Sequence, residues 1–201
     1  MVFDPRDDAQ TGAASKAQTN VLIMVASAIV VALLWVLLFR FNLWMFSSFE
    51  MTSFISWIFL PAAIRVLAVM ACDWVGVLGL FAGALFTNQA DPTLDLTDGL
   101  VLAVLSATGP LVAFWFCTRL LRLPSTLSGL TARQVLVFAA IGALLNAVPH
   151  NIYFYLSGRM ASPIEGIVPM FFGDLLGTMV VLYVLSLALR LLFKRATSQR
   201  V

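Results

Sequence analysis

The chain has 201 residues, of which 61% are hydrophobic and only 11% charged. Soluble domains carry about 25% charged residues and are about half apolar, so this composition excludes a soluble globular domain and implies a membrane protein. A net charge of +2, with no basic stripe interleaved with aromatics, also argues against a nucleic-acid binder.

Residues 1–20 (MVFDPRDDAQTGAASKAQTN) are polar and of mixed charge. They lack a basic run leading into a short apolar core, so they read as a polar tail, disordered by composition, and not as a signal peptide. A bilayer-spanning helix needs about 20 mainly apolar residues, and residues 21–193 offer six such segments. The first runs from Val21 to Phe39 and is closed by Arg40. The second runs from Ser53 to Cys72; Pro61 suits only the first turn of a helix and predicts a broken segment, with Phe54 to Leu60 irregular. The third, Trp74 to Thr87, is short and punctuated by Gly76, Gly79 and Gly83, as a short span or a re-entrant piece would be. The fourth covers Leu100 to Leu121, with a kink expected at Gly109-Pro110. The fifth covers Val135 to Leu156. The sixth covers Val168 to Phe193, long enough to tilt or to begin with an interfacial turn near Pro169. Residues 194–201 form a basic tail. The fold class is therefore all-α, a polytopic bundle of about six transmembrane helices with a broken or short second and third pair.

Charge sets the expected orientation. Arg6, Lys16, Arg119, Arg122, Arg133, Arg190, Lys194, Arg195 and Arg200 fall on one side of a six-span plan, and only Arg40 and Arg159 on the other. By the positive-inside rule both ends are cytoplasmic. Trp35, Trp44, Trp57, Trp74 and Trp115 sit mostly near span ends, as interfacial anchors would. Cys72 and Cys117 read as small buried core residues.

Arg65 is the one cation in the middle of a span, in FLPAAIRVLAVMACDW. A charge at mid-bilayer costs about 2.5–3.5 kcal/mol on insertion scales, so such groups face the bundle interior and pair. Asp73 lies eight residues on, about 12 Å along a helix, too far for a direct bond. Asp174, in the sixth span, is the best carboxylate partner, and a long side chain can snorkel to its depth. An arginine capping the free carbonyls of a broken helix is the competing reading. In LLNAVPHNIYFYLSG, Asn146 and His150 are four apart and share a helical face. Pro149 withholds its N–H from the carbonyl of Leu145, and Asn151 flanks the patch. Asn146, His150, Asn151 and Asp174 are expected to line one polar pocket open to the outer face, with Arg65 beneath; polar glue between helices would need no pocket.

Ala28-x-x-x-Ala32, Gly79-x-x-x-Gly83 and Gly173-x-x-x-Gly177 have the spacing that lets helices approach closely, for internal packing or for docking a partner. His150 is the only histidine, and no metal-ligand spacing, nucleophile–base motif or phosphate loop appears. The lysines, Lys16 and Lys194, are both terminal, which excludes a retinal Schiff base inside the bundle. No catalytic residues, metal or cofactor are expected, and the chain reads as a non-enzymatic module.

The segments WIFLPAAIRVLAVM (57–70), WVGVLGLFAGALFTN (74–88) and FFGDLLGTMVVLYVLSL (171–187) resemble the first class of MASE-type bacterial integral membrane sensory domains. Shared are a Trp–Pro pair opening one helix, a glycine-spaced helix after it, and Gly-Asp-x-x-Gly in a late helix; Ala63 stands where that family usually has glycine. The resemblance implies a multi-pass sensor in a bacterial inner membrane. With few residues after Phe193, such a sensor would act through a separate membrane or cytoplasmic protein, as an accessory subunit would. The plan is also similar to the substrate-binding subunits of energy-coupling-factor vitamin transporters, which dock through Ala-x-x-x-Ala in the first helix. That likeness implies a transport alternative. Either way the expected partners are membrane lipid, a second protein and a small-molecule ligand taken from the outer face.

Overall fold

The computed structural model describes residues 5–52, 55–122 and 130–198, with side chains described between 18 and 192 of that range. Five helices carry the fold: α1 (Pro5–Phe46), α2 (Ala62–Gln89), α3 (Leu96–Arg119), α4 (Ala132–Leu156) and α5 (Pro163–Ser198). All five are long and apolar enough to cross a membrane. After α1 come a single 3₁₀ turn and a two-stranded antiparallel ribbon, β1 (Glu50–Thr52) with β2 (Ile55–Ser56). An extended stretch then leads to Pro61, which serves as the N-cap of α2. Phe54, part of the expected irregular stretch, lies outside the described residues.

The sequence predicts six spans, and five helices are found. The difference lies in α2, which takes up the second and third expected segments. Its helix is interrupted at Asp73, where φ is 49° and ψ −133°. That backbone is strained for a residue with a Cβ, typically by about 1–3 kcal/mol. The interruption is a reversal. Trp35 lies 5.1 Å from the Arg65 guanidinium and 3.1 Å from the Thr87 hydroxyl. In a straight helix those two residues would be about 33 Å apart. Gly76 sits against the carbonyl of Ala68 so closely that a Cβ there would collide with it. A bare Cα is what lets the second half of α2 fold back over the first.

Helix directions follow from paired positions. A Cβ on Gly79 would meet the Ala28 carbonyl at 2.6 Å, and one on Gly83 the Ala32 carbonyl at 3.0 Å. The second half of α2 therefore runs parallel to α1, and the two small-residue motifs pack on each other. Asn88 donates to the Gly99 carbonyl at 3.1 Å, so α3 runs back. Phe114 meets Phe138, their ring centroids 6.3 Å apart, which makes α4 antiparallel to α3. Asn151 of α4 reaches Met170 of α5 at 3.5 Å, near the turn that joins them.

The third glycine pair does something else. Gly173 and Gly177 receive backbone, not a helix: Cβ atoms there would collide with the carbonyls of Ser56 and Phe59. The Phe59 N–H donates to the Gly173 carbonyl at 3.0 Å, and the Leu60 N–H to Asn42 Oδ1 at 2.8 Å. An extended segment exposes a donor and an acceptor at every residue, and inside a membrane each needs a partner. A flat glycine face on α5 and a buried asparagine on α1 supply some of them.

Three further expectations are corrected. The polar tail is not set off from the first span, because α1 already starts at Pro5; extending a formed helix adds a hydrogen bond for each residue fixed, which polar composition does not prevent. α3 and α5 each remain one helix across an internal proline, Pro110 and Pro169, which leaves the expected kink in α3 neither upheld nor overturned. Trp35 is 2% exposed and belongs to the core with Val31, Ile64, Leu80 and Ala103, whereas Trp44, Trp57, Trp74 and Trp115 are exposed. Cys117 is buried but Cys72 only half so, and both are free thiols. Helix starts are well capped where they leave the apolar zone: Asp95 accepts from the Asp98 N–H at 2.7 Å, and Thr131 with Gln134 forms a capping box on α4.

Candidate functional site: a polar pocket over a buried ion pair

Arg65 lies in the first turn of α2, and its side chain leans back toward the helix N-terminus, as Cβ geometry dictates. A cation there faces the positive end of the helix dipole. Asp174 answers both problems: Arg65 Nη1 donates to Asp174 Oδ2 at 2.7 Å, with side-chain exposures of 8% and 4%. The guanidinium also lies over the rings of Trp35 and Phe59, at 5.1 and 5.4 Å, a cation–π arrangement that suits a desolvated cation. The alternative of an arginine capping loose carbonyls is not what is found; the carbonyls of Ser56 and Phe59 lie against glycines of α5.

Asp174 Oδ2 takes a second bond from Asn146 Nδ2 at 2.7 Å. One helical turn further, His150 Nδ1 faces the Asn146 carbonyl at 2.8 Å. A carbonyl can only accept, so Nδ1 carries the proton. Nε2 lies 3.2 Å from the Ser106 hydroxyl. Two prolines shape this contact. Pro149 leaves the Leu145 carbonyl without its helical donor, and that oxygen is covered by Gly109 of α3, where a Cβ would come within 3.2 Å of it. Pro110 likewise leaves the carbonyl of Ser106, the residue that meets His150.

Above this network opens a cavity of about 100 Å³. Arg65, Asp174, Asn146, His150 and Ser106 line its polar side, and Phe39, Ile55, Leu102, Phe154 and Met170 its apolar side. Glu50 and Asp91, from the segments that follow α1 and α2, flank it at the loop end. Partial burial pushes the Glu50 carboxyl above the usual range. Two polar atoms among the residues that line the cavity, Arg65 Nε and Asn146 Oδ1, have no hydrogen-bond partner. Both are closed in by neighbouring atoms, and both belong to side chains bonded to the same oxygen of Asp174.

Of the residues expected in the pocket, Arg65, Asp174, Asn146 and His150 are brought together. Asn151 is not. It is fully buried, but a step of about 100° around α4 turns it away, to donate to the Ala147 carbonyl at 2.8 Å. Its Oδ1 rests on Gly166, which has no room for a side chain. Ser106, Trp35, Asn42 and Thr87 were missed. The signals for Ser106 were its polarity in an apolar span and the proline four residues on. A second cluster where α3 begins and α4 ends was also missed: Tyr153 donates to Asp98 Oδ1 at 2.6 Å, and Arg159 Nη2 pairs with Asp98 Oδ2. No group of three or more metal-ligating side chains occurs among the described residues. No family model, curated protein or solved structure matches the chain.

Proposed function

We propose that the protein is a non-enzymatic, multi-pass module of a bacterial inner membrane that takes a small molecule from the outer face and acts through a partner protein, as a MASE-like sensor or an accessory subunit. On this reading the chain makes six passes with both ends cytoplasmic. The reversal at Asp73, the alternating helix directions and the positive-inside bias all support that plan. One observation carries the functional reading. A cavity of about 100 Å³, polar on one side and apolar on the other, sits on a buried ion pair. A concave site with apolar walls and a few convergent polar groups is what a small-molecule pocket needs.

The route to a partner is the extended segment before α2. Glu50, Ile55, Ser56 and Phe59 line the cavity, and the same backbone rests on Gly173 of α5. A ligand touching these side chains favours one seating of the segment over another, and can shift that equilibrium only by its differential affinity for the two. The transport alternative keeps the same pocket. Its specific support was Ala28 and Ala32 as a docking face, and these pack internally on Gly79 and Gly83. Purification in mild detergent, with mass spectrometry of bound proteins and small molecules, tests the assignment. Recovery of a kinase, a cyclase or a respiratory or photosynthetic complex is expected. Recovery of an ATPase pair with a coupling protein would replace it by transport.

A further inference from the structure

We infer that the end of the bundle opposite the cavity mouth binds the phosphate head group of an anionic phospholipid, in the cytoplasmic leaflet on the orientation proposed above. Three helices bring arginines to one level there. Arg119 ends α3, about 35 Å from Leu96 where that helix starts; Arg133 opens α4, about 35 Å from Leu156 where it ends. Arg190 lies about 38 Å along α5 from Glu165 in its first turn. A bilayer is about 30 Å thick in its hydrocarbon core and about 40–45 Å with its head groups. Helices that cross it therefore set all three arginines at head-group depth. Arg122, three residues past Arg119, joins them, and the exposed Trp115 sits one turn shallower, where interfacial tryptophans belong.

Charge and shape together select a lipid. All four arginines are exposed, and none of them forms an ion pair among the described residues. Of the carboxylates whose side chains are described, only Asp73 lies toward this end; the others lie at the opposite end or on Arg65. The patch is thus cationic and left without a counter-charge. It is also built from arginine alone, whose planar fork matches phosphate oxygens two at a time and is weakly hydrated. Beside it the bundle opens. α4 and α5 pack on each other as far as Gly142 and Thr178, which line one small cavity. From Tyr183 to Leu192 every side chain of α5 is exposed, so the helix parts from its neighbour over those turns. The cleft that results is apolar and ends at the level of Arg133 and Arg190. A phospholipid fits both features, with acyl chains along the cleft and its phosphate among the guanidinium groups. An acidic protein segment would match the charge but leave the cleft to something else.

The test uses the full chain in phosphatidylcholine bilayers, with spin-labelled phosphatidylglycerol and spin-labelled phosphatidylcholine of equal chain length as probes. The fraction of each probe immobilised by the protein is read by electron paramagnetic resonance. Phosphatidylglycerol should associate about fivefold or more strongly than phosphatidylcholine. That preference should vanish when Arg119→Gln, Arg133→Gln and Arg190→Gln are combined, and should be only partly kept by lysine at the same three positions, which retains charge but not the fork. The comparison of probes on unaltered protein does not depend on any variant folding. Equal association of the two lipids overturns the proposal, and a copurifying acidic protein lost from the glutamine variant would then take the patch instead. An undiminished preference in the glutamine variant also overturns it, by placing the anionic lipid elsewhere on the bundle.

Discussion

The two ion pairs use the same residue types in different settings. Arg65–Asp174 lies inside the bundle with side chains 8% and 4% exposed; Arg159–Asp98 lies where α3 begins, with side chains 24% and 12% exposed. The outer pair is reached by water and shares Asp98 with Tyr153, so it behaves as a clamp on a loop. The inner pair is surrounded by aromatic rings and by Asn146, and each member exists there only because the other does. Depth, more than chemistry, separates a local staple from a constraint on the whole bundle.

The largest effect expected is at the inner pair. Arg65→Ala and Asp174→Asn should each cost about 3–5 kcal/mol by leaving an uncompensated buried charge or its partner. A double replacement should recover part of that loss, read by reversible unfolding in bicelles; strictly additive losses would show that the two side chains do not act as a pair. Next comes the seat of the extended segment. Gly177→Ala places a Cβ into the Phe59 carbonyl, and overpacking of this kind costs about 1–3 kcal/mol. It should also weaken any ligand that touches Phe59, and an unaltered unfolding midpoint would mean the segment is not held by that face. The smallest effect is at the rim. Arg159→Ala should cost about 1 kcal/mol or less, and less still in high salt. A loss as large as that at Arg65 would erase the distinction between the two pairs.

Much of the inner site was legible in the chain before folding. Once six apolar segments are marked, Arg65 and Asp174 stand out as intramembrane charges, and the cost of leaving either alone makes their pairing one of two readings, beside carbonyl capping. The four-residue spacing of Asn146 and His150 placed them on one face, and that face meets Asp174. Asn151 could not be placed the same way. Adjacency in sequence turns a side chain by about 100°, and only the position of α5 decides which side is the pocket. Ser106 had no periodic signal, since a single serine in an apolar helix is compatible with many roles. Trp35 looked like an interfacial anchor because its neighbours are apolar in every direction; burial against Arg65 and Thr87 depends on the chain turning back at Asp73.

Composition alone settled that the chain is all-α and belongs in a membrane, because so apolar a chain can satisfy its backbone there only within helices or closed sheets, and its apolar runs have helical length. It also marked Arg65 as an intramembrane cation that must face the bundle interior, with a carboxylate or the free carbonyls of a broken helix as its candidate partners. What the tertiary structure decided is where glycines are spent. Gly76 permits the reversal of α2, Gly79 and Gly83 admit α1, and Gly173 and Gly177 admit a stretch of extended backbone. A glycine in a sequence says that something comes close. Which partner comes close is set by long-range packing, and no local periodicity encodes it.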